Sequence, residues 1–137
     1  MKIWAFFLKP RTDVQVALQV IGRRTENQIR NERSDRRHGD DGYRLDLRNT
    51  NLQGADLARL DLRNALLKRS RLEGAHFWKA RMEGANLGFA HLDGAQVRKA
   101  SMDGVDLRWA NMTGASLCAT NMTGADLGGV RFQGADL

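Results

Sequence analysis

Apolar side chains recur at every fifth position through most of this chain. Stepping by five from Leu47 gives Leu52, Leu57, Leu62, Leu67, Leu72, Phe77, Met82 and so on through Met122, Leu127 and Phe132 to Leu137, nineteen positions without a polar residue. A second column lies two residues earlier, from Leu45, Thr50 and Ala55 to Ala135, and holds only small or aliphatic side chains. Neither the helical period nor the alternation of a strand generates a strict five. A five-residue period requires short extended pieces joined by tight turns, and residues two apart in an extended piece point to the same side. The pattern predicts an all-β solenoid with both columns inside and the other three positions of each repeat in water.

Units such as Ala55-Asp56-Leu57, Ala85-Asn86-Leu87, Ala125-Asp126-Leu127 and Ala135-Asp136-Leu137 resemble the pentapeptide-repeat family, with its consensus Ala-Asp/Asn-Leu-X-X. The resemblance covers residues 45–137. It implies a right-handed quadrilateral β-helix with four pentapeptides per coil, so that residues twenty apart stack. Nineteen units then make about 4.75 coils, and at about 4.8 Å per coil a rod about 23 Å tall. The interior columns compensate in size: Leu57, Phe77, Val97 and Leu117 stack in one, Leu62, Met82, Met102 and Met122 in another. Gly54, Gly74, Gly84, Gly94, Gly104, Gly114, Gly124 and Gly134 recur every ten residues, with Asn64 filling the gap. Glycine and asparagine tolerate positive φ. Alternate corners are therefore expected to turn through a left-handed residue and the others not, so that two opposite faces differ in turn type.

Residues 1–44 stand apart from the repeats. Thr12-Asp13-Val14-Gln15 matches a capping box after Pro10. Val14, Ala17, Leu18 and Ile21 follow helical spacing, and Gly22 is placed to end the helix. An open solenoid end exposes unpaired backbone, so a short α-helix over 13–21 is expected to cap the first coil, followed by a charged, solvated loop to residue 44. The stretch Val14 to Arg24 is also similar to the segment before the repeats in some bacterial pentapeptide proteins, which often carry membrane helices upstream. The longest early apolar run, Ile3 to Leu8, is far short of the roughly 20 residues a spanning helix needs. Leu127, Phe132 and Leu137 end the interior column without a capping helix. Two readings stand side by side: a homodimer through this last coil, or a chain cut from a longer parent.

Charge narrows the functional classes. The net charge is +6, and residues 43–137 contribute thirteen basic and ten acidic side chains, a net of +3. Some pentapeptide-repeat proteins imitate the shape and acidity of duplex DNA and bind DNA gyrase; a basic rod disfavours that role. A single cysteine, Cys118, fits a reducing compartment and a cytoplasmic location. No His/Cys/Asp spacing suggests a metal site, Gly128-Gly129 lacks the lysine of a phosphate loop, and the carboxylates at Asp46, Asp56, Asp106, Asp126 and Asp136 recur as repeat positions. These features predict no enzyme, no cofactor and no metal.

What is left is surface. The twenty-residue register stacks Asn49, Arg69, Phe89 and Trp109 in one ladder, and places Trp78 below Arg98 on the opposite side, next to Arg59, Lys79 and Lys99. A cation–π contact between Trp78 and Arg98 is expected. Exposed aromatics beside arginine are characteristic of protein-binding hot spots and also suit single-stranded nucleic acid. The candidate partner-binding residues are Arg69, Phe89, Trp109, Trp78, Lys79, Arg98 and Lys99. The expected function is a scaffold for an unknown protein partner, with nucleic-acid binding as the alternative.

Overall fold

The structure, a computed structural model, describes Leu18, Arg30 and residues 44–137. The capping helix expected over 13–21 and the charged loop after it lie outside the described residues, save two points. Leu18 is helical and buried in the same apolar cluster as the coil interior, and Arg30 is helical and exposed.

Residues 44–137 wind into a four-sided β solenoid. Each side is one pentapeptide, and its first residue forms a parallel bridge to the residue twenty further on, from Asp46↔Leu66 to Ser116↔Asp136, fifteen bridges in all. The register is constant, so every column of the sequence becomes a column in space. Central residues from Leu47 to Leu117 are buried, as are the small residues from Leu45 to Ala115. Met122, Val130, Phe132 and Ala135 pack only partly against this core, because one coil fewer lies above them. Two small-column hydroxyls are reconciled with burial by bonding to carbonyls, as buried polar groups require. Thr50 donates to Leu47 O at 2.6 Å, and Ser70 donates to Leu67 O and to Leu47 O in the preceding coil.

Backbone accounting explains the shape of each corner. In the unit Leu87–His91, the Leu87 N–H donates up to Asp106 O (2.7 Å) and the Phe89 N–H up to Arg108 O (2.8 Å). Ala90 N–H closes the turn onto Leu87 O, and His91 N–H reaches back to Ser70 O. The remaining N–H, on Gly88, goes to the Asn86 side chain at 3.0 Å. The same side-chain cap forms wherever the first residue is Asp or Asn and its turn is complete, from Asp46 to Asp126. The recurring carboxylates are therefore turn caps, which is why Asp and Asn alternate freely there.

The expected division into two kinds of corner is not what forms. All eighteen corners, from Asn49 to Gly134, place a left-handed residue third in the turn. Half of them use residues other than glycine: Asn49, Arg59, Asn64, Arg69, Lys79, Phe89, Lys99, Trp109 and Ala119 all have φ between 55° and 61°. Positive φ at that position alone is the signature of a type II turn. The reason is axial: the third residue's N–H must point along the rod to the next coil's carbonyl, whatever its side chain.

Candidate functional site

Sorting the outward positions by corner separates charge. The two diagonally opposite corners that follow Leu47 and Leu57 carry Arg48, Lys68, Arg69 and Arg108 on one, and Arg59, Lys79, Arg98 and Lys99 on the other, with no carboxylate at either. The two glycine-bearing corners carry Glu73 and Asp93, and Glu83 and Asp103 beside Arg44 and Arg63. Arg44 is held there by two carbonyls, Asn64 O at 2.6 Å and Gly84 O at 3.3 Å. Among the described residues the three exposed aromatics, Trp78, Phe89 and Trp109, stand on the basic corners.

The first basic corner brings Arg69, Phe89 and Trp109 together as the register predicts, and adds residues that the sequence reading passed over. Gly88 stands between Lys68 and Arg108 in a column that also holds Arg48 and ends at Gly128, and the missing side chain opens a cleft of about 230 Å3 lined by Lys68, Gly88, Phe89, Asp106, Arg108 and Trp109. Lys68 Nζ and the Arg69 guanidinium each lie 5.6 Å from the Phe89 ring centre. Neither forms an ion pair with any described residue. Arg108 differs: it chelates Asp106 (2.8 and 3.0 Å) and approaches Asp126 at 3.5 Å. The guanidinium hydrogen bonds hold the Asp106 carboxyl below its ordinary range. Trp109, 64% exposed, lays its indole against Gly129. A Cβ there would fall 2.5 Å from Trp109 Cε3, so glycine at this corner makes room for the ring. The signal for Gly88 and Gly129 was present in the sequence: with Gly128 they are the three breaks in these two otherwise bulky columns.

The second basic corner departs from expectation in its pairing. Trp78 does not take Arg98; its ring is covered by Arg59 and Lys79, each 4.6 Å from the centre. Both are left-handed third residues, Arg59 one coil earlier and Lys79 its own neighbour, and their positive φ sends their side chains toward the ring. Arg98 instead acts one coil further on, where its charge is felt at Cys118. Cys118 Sγ donates to Asp136 Oδ2 at 3.1 Å, and that bond pushes the thiol above its usual range. His76 and His91 are exposed and belong to different faces. Among the described residues no group of three His, Cys, Asp or Glu side chains could hold a metal, and no helix is long and apolar enough to cross a membrane. At the far end Leu127 is 41% and Leu137 78% exposed, with Phe132 half-buried between them.

These features define a class, a parallel β solenoid with one pentapeptide per side and no assembled catalytic centre among its described residues. The family description "Pentapeptide repeats" matches in eight copies over residues 44–69, 65–104 and 100–137, and the chain belongs to the pentapeptide-repeat family. Among solved structures it is similar to a pentapeptide-repeat protein of the Arabidopsis thaliana thylakoid lumen (33% identity, TM-score 0.62), over 63% of this chain and 60% of that one. It is also similar to the pentapeptide-repeat protein Rfr23 of the cyanobacterium Cyanothece 51142 (31% identity, TM-score 0.55), over 72% and 64%. The chain thus spans less than two thirds of either protein's length. No curated protein sequence matches it.

Proposed function

We propose that this chain is a non-enzymatic protein-binding scaffold, wound right-handed as the family resemblance implies, whose working surface is the corner of Lys68, Arg69, Phe89 and Trp109. The observation that carries this reading is the cleft between the two rings. At about 230 Å3 it is smaller than the roughly 300–1,000 Å3 of sites for small organic ligands. It suits one large side chain of a partner, inserted between Phe89 and Trp109 where aromatic anchors concentrate binding energy. Lys68 and Arg69, neither in an ion pair with a described residue, would meet acidic residues beside that anchor. A gyrase-binding imitation of DNA is disfavoured by the same geometry, since two of the four corners carry cations and no carboxylate. A cytoplasmic location belongs to the proposal and rests on the lone thiol of Cys118.

Affinity purification from the native cell tests the surface. The comparison is between wild type, Phe89→Ala/Trp109→Ala and, as a control on an acidic corner, Asp93→Asn. A partner retained by the control and lost from the aromatic variant supports the proposal; identical partner sets from all three contradict it. Light scattering on the same preparations separates the two readings of the apolar end at Leu127, Phe132 and Leu137, since pairing of two copies gives twice the 15.4 kDa mass.

A further inference from the structure

The edge that carries Trp78 differs from the Phe89–Trp109 corner in one respect that points to another kind of ligand. On the latter, Arg48 and Arg108 are each neutralised by the aspartate two residues before them. On the Trp78 edge, Arg59, Lys79, Arg98 and Lys99 have no ion pair among the described residues. The first-position side chains beside them in the middle coils are His76 and Gln96, neither of them a carboxylate. The aspartates flanking this edge, Asp56, Asp61 and Asp136, bond Ala58 N–H, the Arg63 guanidinium and Cys118 Sγ. Arg59, Lys79 and Lys99 occupy one position in three successive coils, so their α-carbons rise along the rod at about 4.8 Å per step. Each is fixed by its own N–H to the coil above, onto Trp78 O, Arg98 O and Cys118 O. Like charges this close repel. The protein keeps them in line on a rigid backbone and shields only two of them, on the face of Trp78.

We infer that this edge binds the phosphate backbone of single-stranded nucleic acid. A linear comb of unpaired cations matches a linear polyanion, and phosphate contacts need donors, which these four side chains supply. A strand needs only to follow the ridge. Trp78, 36% exposed with Arg59 and Lys79 over its ring, leaves its outer edge for one base to meet. This inference concerns a different edge from the proposed protein-binding corner and stands or falls separately.

Four phosphate contacts on a single strand predict a slope of log K against log salt of about −2.8, and so a loss of about 50-fold between 50 mM and 200 mM salt. The experiment is fluorescence anisotropy of a short labelled oligo(dT) with the full chain, alongside a labelled poly-glutamate peptide. Lys79→Gln/Lys99→Gln should reduce the slope to about −1.4 and weaken binding at low salt, with the thermal melt confirming that the fold is kept. Lys68→Gln/Arg69→Gln on the other corner should leave both quantities unchanged. No binding of the oligonucleotide at low salt, tighter binding of poly-glutamate, or equal losses from the two corner variants would each overturn the inference.

Discussion

Single residues in this rod are constrained by what the backbone does one coil away. Nine residues other than glycine hold a left-handed φ at corners, a conformation that costs an ordinary side chain about 1 kcal/mol or more. At Lys99, where the exposed side chain packs on no ring, that strain has no structural compensation. Lys99→Gly should therefore leave urea stability unchanged or raise it by up to about 1 kcal/mol, net of the entropy glycine adds to the unfolded chain. A clear loss would mean that the corner is not strained. Gly129→Ala should behave oppositely, since the new methyl meets the Trp109 indole; the expected result is lower stability together with a red-shifted tryptophan emission as the ring is displaced. Asp106 sets a pH dependence. Its folded carboxyl is held below the unfolded value of about 3.9, so its contribution is present above that pH and is lost as pH falls through the folded value. Asp106→Asn keeps the turn cap but not the ion pair, and acid titration should show it losing less stability than wild type over that window. At Cys118 the thiol is raised, so alkylation by iodoacetamide should need a higher pH than a free cysteine, and Asp136→Asn should lower that midpoint.

At the scale of one coil, stability comes from stacked apolar columns and a complete set of axial hydrogen bonds. Leu87 is fully buried between Leu67 and Leu107, so Leu87→Ala should cost about 2–5 kcal/mol in chemical denaturation, and Leu87→Asp should unfold the middle coils. A Leu87→Asp protein that melts like wild type would place that column outside. These columns were legible in the sequence because a period of five admits no helix and no long strand, which left one way to bury Leu47 through Leu117. The corners were not legible in the same way. Glycine at Gly54, Gly74 and Gly84 suggested a special turn at those corners only. The constraint that decides the conformation is the N–H of residues such as Phe89 and Trp109, which must find a carbonyl in the next coil, and sequence does not display it. The pairing of Trp78 failed for a related reason: the register names Arg98 as the stacked neighbour, but the left-handed backbone at Arg59 and Lys79 brings those side chains onto the ring. The Phe89–Trp109 ladder needed only the register and was legible. The cleft between those rings depended on reading Gly88 as a gap in the column of Lys68 and Arg108.

Across the whole molecule, the twenty-residue repeat turns a modest net charge into opposed edges. Among the described residues, eight cations and the three exposed aromatics fall on two diagonal corners, while Glu73, Glu83, Asp93 and Asp103 fall on the other two. A sequence-wide count of charge hides this, because basic and acidic corners alternate every five residues along the chain. Both functional assignments, the protein-binding cleft and the nucleic-acid edge, depend on that sorting, which in turn depends on residues twenty apart being neighbours. Nitroxide labels test it directly. In a Cys118→Ser background, His91→Cys with Asn111→Cys places two labels on adjacent coils of one face, and His91→Cys with Ser101→Cys places them on opposite faces of the rod. Strong dipolar broadening of the first pair's electron paramagnetic resonance spectrum, and none of the second's, is the expected result. Broadening of the second pair with sharp lines from the first would show that the coil does not close at twenty residues.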